Sequence, residues 1–140
     1  MLRISIRRDS LSPDLRRRLL AVRNKAPLLK AVSDTLAQTA KGAFNDPALR
    51  PTSWPAKKDG STATLRRDQL LARSPRTVST TPQRAILGTD RRYGRYHQSG
   101  TRRGLPARRF MPFVDRSPSA LAIRRGREAL RVALARGSRS

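Results

Sequence analysis

The stretch from Tyr93 to Phe113 constrains this chain more than any other: Tyr-Gly-Arg-Tyr-His-Gln-Ser-Gly-Thr-Arg-Arg-Gly-Leu-Pro-Ala-Arg-Arg-Phe-Met-Pro-Phe. It gathers both tyrosines, the single histidine, two of the three phenylalanines and three of the eight glycines, so most of the bulky contact groups must be placed by one local architecture. The pattern predicts a strand over Tyr93 to Gln98, then a loop and arm over 99–113. The two glycines flanking the loop, Gly100 and Gly104, permit backbone angles that other residues resist. On such a strand Tyr93, Arg95 and His97 share one face, and Gly94, Tyr96 and Gln98 the other.

Around this stretch the periodicities alternate between two and 3.6. Leu2, Ile4 and Ile6 alternate with Arg3, Ser5 and Arg7, as in a half-buried strand. Ser12, Pro13 and Asp14 supply a cap, a first-turn proline and an acid near the positive helix end, and Leu15, Leu19 and Val22 follow at helical spacing over 13–24. After Pro27, one side of a four-turn helix carries Leu28, Val32, Leu36, Ala40 and Ala43 or Phe44, with Asp34 and Gln38 on its polar side. Arg76 to Thr81 and Gln83 to Gly88, split by Thr81-Pro82, read as a hairpin that Tyr93 to Gln98 would extend into a meander. Ser117-Pro118 then repeats the cap and first-turn proline. It leads a stripe of Ala122, Ile123, Gly126, Ala129, Leu130, Ala133 and Leu134, whose small members would admit another backbone. The expectation is one α+β domain over 1–135: a small antiparallel sheet, made of the N-terminal strand plus a meander from the C-terminal half, packed on two or three helices. Residues 136–140 are expected to be a disordered tail.

Residues 45–64 read as a long loop, because Asp46-Pro47, Arg50-Pro51, Trp54-Pro55 and Asp59-Gly60 are turn-forming pairs. Its Trp54 has two readings of equal weight, folding back onto the core or anchoring an interface. Leu65 to Ser74 reads as a short helical segment.

Tyr93, His97, Gln98 and Gly100, followed by Pro106, Ala107, Arg108 and Phe110, resemble the "Tyr-x-x-x-His-Gln-x-Gly … Ile-Pro-Ala-Arg-Pro-Phe-Leu" signature of the phage virion morphogenesis family. That family includes tail-completion and neck proteins of Mu-like tailed phages. Arg109 and Met111 stand where it usually has proline and leucine. Leu65, Leu71 and Ser74 also fit its "Leu-x-x-Thr-Gly-x-Leu-x-x-Ser" element, with Asp68 and Gln69 in place of threonine and glycine. The helix from Leu28 resembles the long helix before the sheet in those proteins, and Trp54-Pro55 a Trp-Pro element in a comparable loop. The resemblance implies a structural virion protein, forming a homo-oligomeric ring on the tail's six-fold symmetry at the head-tail junction. Its partners would be other neck, connector and tail proteins, and it would reside in the host cytoplasm during assembly. It also implies a subunit or partner interface built from Trp54, Tyr93, Tyr96, His97, Gln98, Pro106, Ala107, Arg108, Phe110 and Phe113. Phe110 or Phe113 would fill a neighbour's pocket, and Arg108 would make a directed ion pair.

Charge narrows the partners independently. Lys and Arg number 32 against 9 Asp and Glu, a net charge of +23, so the chain should attract polyanions strongly at low salt. Arg91, Arg92, Arg95, Arg102, Arg103 and Arg109 surround the two tyrosines, and arginine both forks onto phosphate and stacks on aromatic faces. These are candidate contacts to an acidic surface, or to DNA in a channel by sequence-blind phosphate contact. A small basic RNA-binding protein of ribosomal type is the alternative that fits the same charge. The absence of cysteine excludes disulfides and thiolate chemistry. No apolar run reaches the ~20 residues of a membrane span, and no secretory signal is expected at the amino terminus. Catalysis lacks parts: His97 has no oriented carboxylate, the acids are scattered, and no phosphate-binding glycine loop occurs, so neither enzyme activity, cofactor nor metal is expected.

Overall fold

The computed structural model describes residues 2–5, 12–61, 63 and 69–137. Helix α1 (Pro13–Leu20) starts as its sequence requires: Ser12 is the cap, its hydroxyl accepts from the Leu15 amide, and Pro13 opens the first turn. It buries Leu15 and Leu19 and ends before Val22, four residues short of the span expected from spacing. Helix α2 (Ala26–Gly42) buries Leu28, Leu29, Val32, Leu36, Ala37 and Ala40 on one side, and the core continues through Ala43 and Phe44. A single 3-10 turn at Pro47–Leu49 follows, capped by the Asp46 carboxylate accepting from the Ala48 amide.

The sheet has three antiparallel strands in the order β1-β3-β2: β1 (Leu2–Ile4), β2 (Arg76–Thr80) and β3 (Ala85–Gly88). The hairpin of β2 and β3 lies where the two strand-forming runs on either side of Thr81-Pro82 place it. Its third partner is β1, with Leu2 opposite Leu87 and Ile4 opposite Ala85, so no meander continues from β3. Ile6 and Arg7 fall outside the described residues. β2 has a register shift between Thr77 and Ser79 that leaves Val78 without a partner across the ladder.

Helix α2 is the hub: it contacts β2 and β3 on the sheet and also the last helix, α5 (Ala120–Gly137), through Ala122, Leu130 and Leu134. Gly126 faces Val32 closely enough that an added Cβ would lie 3.5 Å from its Cγ1. What the small Gly126 of α5 admits is thus the Val32 side chain of α2. Ser119, not Ser117, caps α5, because Ser117–Pro118 is taken up as β5 against β4 (Phe113–Val114) and the Ser119 hydroxyl accepts from Ala122. The helix continues through Arg136 and Gly137, which corrects the expectation of a tail there; 138–140 lie outside the described residues.

Two short helices complete the fold. Helix α3 (Leu70–Arg73) occupies part of the expected short helical segment, whose residues 65–68 lie outside the described set. Gln69, just before it, has φ 59° and ψ 0°, the left-handed conformation that suits glycine. Helix α4 (Gly94–Ser99) stands where a strand was expected.

Candidate functional site

The two halves of the Tyr93 to Phe113 stretch are locked together by one side chain. Gln98 lies on α4 with 6% of its surface exposed. Its Oε1 accepts from the amides of Phe110 (3.1 Å) and Met111 (2.9 Å), and its Nε2 donates to the carbonyls of Phe113 (3.0 Å) and Met111 (3.4 Å). A side-chain amide can pair with backbone as a neighbouring strand does, and Gln98 does this for a buried extended segment. The next bond along is backbone: the Arg108 amide donates to the His97 carbonyl at 2.6 Å.

A helix at 94–99 rather than a strand explains this grip. Gly94 is buried against Thr89, Leu71 and Phe110, with space for a Cβ only at 3.1 to 3.4 Å from them, so the turn presses on the core. Helical geometry then sends Gln98 inward and leaves Tyr93, Arg95 and Tyr96 outside. Gly100 (φ 73°) ends the helix, and Gly104 (φ 104°) closes a turn in which Thr101 and Leu105 exchange bonds. Both glycines do the backbone work expected of them.

Arg108 and Phe110 are not offered to a neighbour. Phe110 is 1% exposed and its ring centroid lies 5.2 Å from that of Phe44, so the pocket it fills is in its own chain. Arg108 is 7% exposed; its Nε donates to the Pro55 carbonyl and its Nη2 to the Ala56 carbonyl, both at 2.9 Å. The directed ion pair expected of it is therefore replaced by two carbonyl bonds within the chain. Trp54 resolves the same way, folding back: its Nε1 donates to the Arg109 carbonyl at 2.7 Å, its ring meets Phe44 edge-on, and the Arg50 guanidinium covers it at 3.8 Å. Loop 45–61 and arm 106–113 form one clasp. Arg109 belongs to it too, reaching Thr52 Oγ1 and lying 3.7 Å from the Asp115 carboxylate. Phe113 is half-buried against the core cluster, and Pro106 and Ala107 are half-buried.

What remains open is a cationic, aromatic surface on the outer side of α4 and its following turn. Tyr93 and Tyr96 are 36% and 43% exposed. Arg95 lies over the Tyr96 ring, 4.9 Å from its centroid, and donates to its hydroxyl. Arg92, Arg102 and Arg103 are exposed, whereas Arg91 is half-buried beside Asp90. His97 is half-buried, meets Tyr93 edge-on at 6.2 Å, and its Nδ1 has no hydrogen-bond partner. Burial first, and the nearby Arg108 charge second, push its pKa below the ordinary 6.5. The imidazole is thus neutral near pH 7, with a free ring nitrogen.

Sequence reasoning missed three contributors. Arg50, stacked on Trp54, carried no signal beyond its place before Pro51. The left-handed Gln69 was visible only as a residue standing where the resemblance has glycine. The third, Asp34 with Thr77, ties α2 to β2: the Thr77 hydroxyl bonds Asp34 Oδ1 at 2.6 Å and the Ser33 hydroxyl at 2.7 Å. The lack of apolar alternation in Arg-Thr-Val-Ser-Thr was its only trace. Burial opposes ionisation of Asp34, but the Lys30 ammonium and the Thr77 hydroxyl outweigh it and hold the carboxyl below its usual value. Among the described residues no three His, Asp or Glu side chains cluster as a metal site, and no helix is long and apolar enough to cross a membrane. Set beside known proteins, the chain matches no family model, no curated protein and no solved structure.

Proposed function

We propose that this chain is a structural virion protein of a tailed phage, a ring-forming neck or tail-completion component that joins the DNA-filled head to the tail. The observation that carries the reading is the clasp. The two specific elements of the resemblance, His97-Gln98 and Pro106 to Phe110, are interlocked through Gln98 and through the bond from Arg108 to His97. Residues that act together in this way form a structural joint, which is the kind of role a shared pattern in an assembly protein would preserve. Gln69 adds support, since it adopts the glycine conformation at the position where that pattern carries glycine.

The clasp also refines how such a subunit would meet its neighbours. Arg108, Phe110 and Trp54 are engaged within the chain, so contact falls to the outer surface of α4 and the turn after it. There Tyr93 and Tyr96 supply contact area, and Arg92, Arg95, Arg102 and Arg103 supply charge toward acidic connector surfaces or DNA phosphates. The reading assigns no bond-breaking step to any residue.

Deleting the gene from the phage that encodes it, then imaging the lysate by electron microscopy, tests the proposal. Filled heads and separate tails are the expected result. Normal joined, infectious particles would overturn it, as would salt-resistant co-sedimentation of the protein with ribosomal subunits.

A further inference from the structure

Among the described residues, the order β1-β3-β2 leaves β2 with a neighbour on one side only. An outer strand presents unpaired amides and carbonyls at alternate residues, and these pair readily with another extended chain. Here the open edge lies in a groove of about 510 Å³, floored by Ala37 and Pro75 and walled by β2 on one side and by Lys30, Asp34, Gln38 and Lys41 of α2 on the other. The two walls are of comparable length. The four steps from Arg76 to Thr80 extend about 13 Å at ~3.3 Å each, and the eleven steps from Lys30 to Lys41 rise about 16 Å at ~1.5 Å each. The bonds from Thr77 to Asp34 and Ser33 fix β2 against α2, so the groove is already shaped.

The occupant follows from the lining. The side chains of Lys41 and Arg76 make no hydrogen bond or ion pair with the described residues, although the Lys41 charge acts on Asp34 from farther off, while Lys30 is held 2.6 Å from Asp34. The one carboxylate thus has its close partner in Lys30, and the two charges left without a close partner are positive. Val78, unpaired at the register shift and 44% exposed, is the single large apolar group of β2. A second copy of β2, Arg-Thr-Val-Ser-Thr, is a poor fit, since it would bring a cation and no carboxylate to Lys41 and Arg76. Nucleic acid could answer the cations but not the strand edge.

We propose that this groove docks an extended acidic segment of another protein, which adds to β2 as a fourth strand, sets an apolar side chain against Val78 and directs carboxylates to Lys41 and Arg76. The inference stands independently of the neck assignment. The groove would hold such a segment whichever particle the protein belongs to.

The test uses the full chain and a blocked nonapeptide alternating glutamate with valine and threonine, against a counterpart with lysine for glutamate. Titration followed by amide hydrogen exchange should show the glutamate peptide alone binding and slowing exchange at alternate residues of Arg76–Thr80. The double variant Lys41→Glu with Arg76→Glu should weaken binding about tenfold or more. Val78→Pro, placed where the ladder to β3 has no pair, should abolish it. Thermal melts of both variants establish that they are folded. Equal binding of the two peptides would overturn the proposal, as would unchanged affinity in the folded charge variant or binding without protection in β2. Protection of β2 that rises with protein concentration alone would assign the edge to a second copy. Displacement of the peptide from the groove by a short DNA duplex would assign it to nucleic acid. Either result sinks the idea.

Discussion

Gln98 accepts from the buried amides of Phe110 and Met111 and donates to the carbonyls of Met111 and Phe113, a reach that a shorter side chain cannot reproduce. Gln98→Ala is expected to destabilise the fold by about 2–4 kcal/mol in urea denaturation, because the Phe110 and Met111 amides would stay buried without partners. His97 makes a pH prediction. Its native pKa lies below the ordinary 6.5, so the unfolded chain takes up the proton first as pH falls. Stability should therefore be complete above about pH 6.5 and decline below it until the native pKa is passed. His97→Gln should remove that part of the decline, and denaturation midpoints of the two proteins compared between about pH 8 and 5.5 would reveal it. Parallel curves would show that the imidazole is not the group responsible. Gln69 carries left-handed strain that glycine would not, so Gln69→Gly is expected to stabilise by about 0.5–1 kcal/mol. A loss of stability there would mean that the Gln69 side chain, whose Oε1 accepts from Arg73, matters more than its backbone angle.

At the scale of elements, the long helices were legible because each repeats its period often enough to be seen, and the hairpin because two strand-forming runs flank the Thr81-Pro82 turn. α2 shows its apolar side over four turns, and β3 buries Ala85 and Leu87 as alternation requires. α4 was not legible. Six residues containing a glycine complete fewer than two turns, and Tyr-Gly-Arg-Tyr-His-Gln satisfies an alternating pattern as well as a helical one. What decides for helix is tertiary: Gly94 must press on Leu71 and Phe110, and Gln98 must face the arm. Ser117 and Ser119 illustrate the same limit, since both can cap and only the small ladder of β4 with β5 selects the second. The clasp of Arg108 on Pro55 and Ala56 spans more than fifty residues of sequence, a distance at which local pattern is silent. Glycine roles in the turn were legible, and they grade a prediction. An alanine Cβ at Gly100 would sit 2.8 Å from the Leu105 carbonyl oxygen at φ 73°, whereas at Gly60, φ 83°, it would meet nothing. Gly100→Ala should cost about 2–3 kcal/mol and Gly60→Ala about 1 kcal/mol, measured by thermal unfolding. Equal losses would show that close approach at Gly100 is relieved by the loop.

For the whole molecule, the charge of +23 is answered by few acids, and the ion pairs of Asp14, Asp34 and Glu128 lie on exposed helix surface where each contributes little. Self-repulsion should therefore dominate the salt response. Melting temperature is expected to rise by a few degrees as sodium chloride goes from about 10 to 200 mM, as screening shortens the range of repulsion. A fall would mean that local pairs outweigh the net charge. The bond from Trp54 to the Arg109 carbonyl, with those from Arg108, has a kinetic corollary. Because these segments are tied to each other within the chain, a partner docking beside them would meet a preformed contour. Its arrival rate is then expected to follow diffusion and charge steering, with no slow folding step in between.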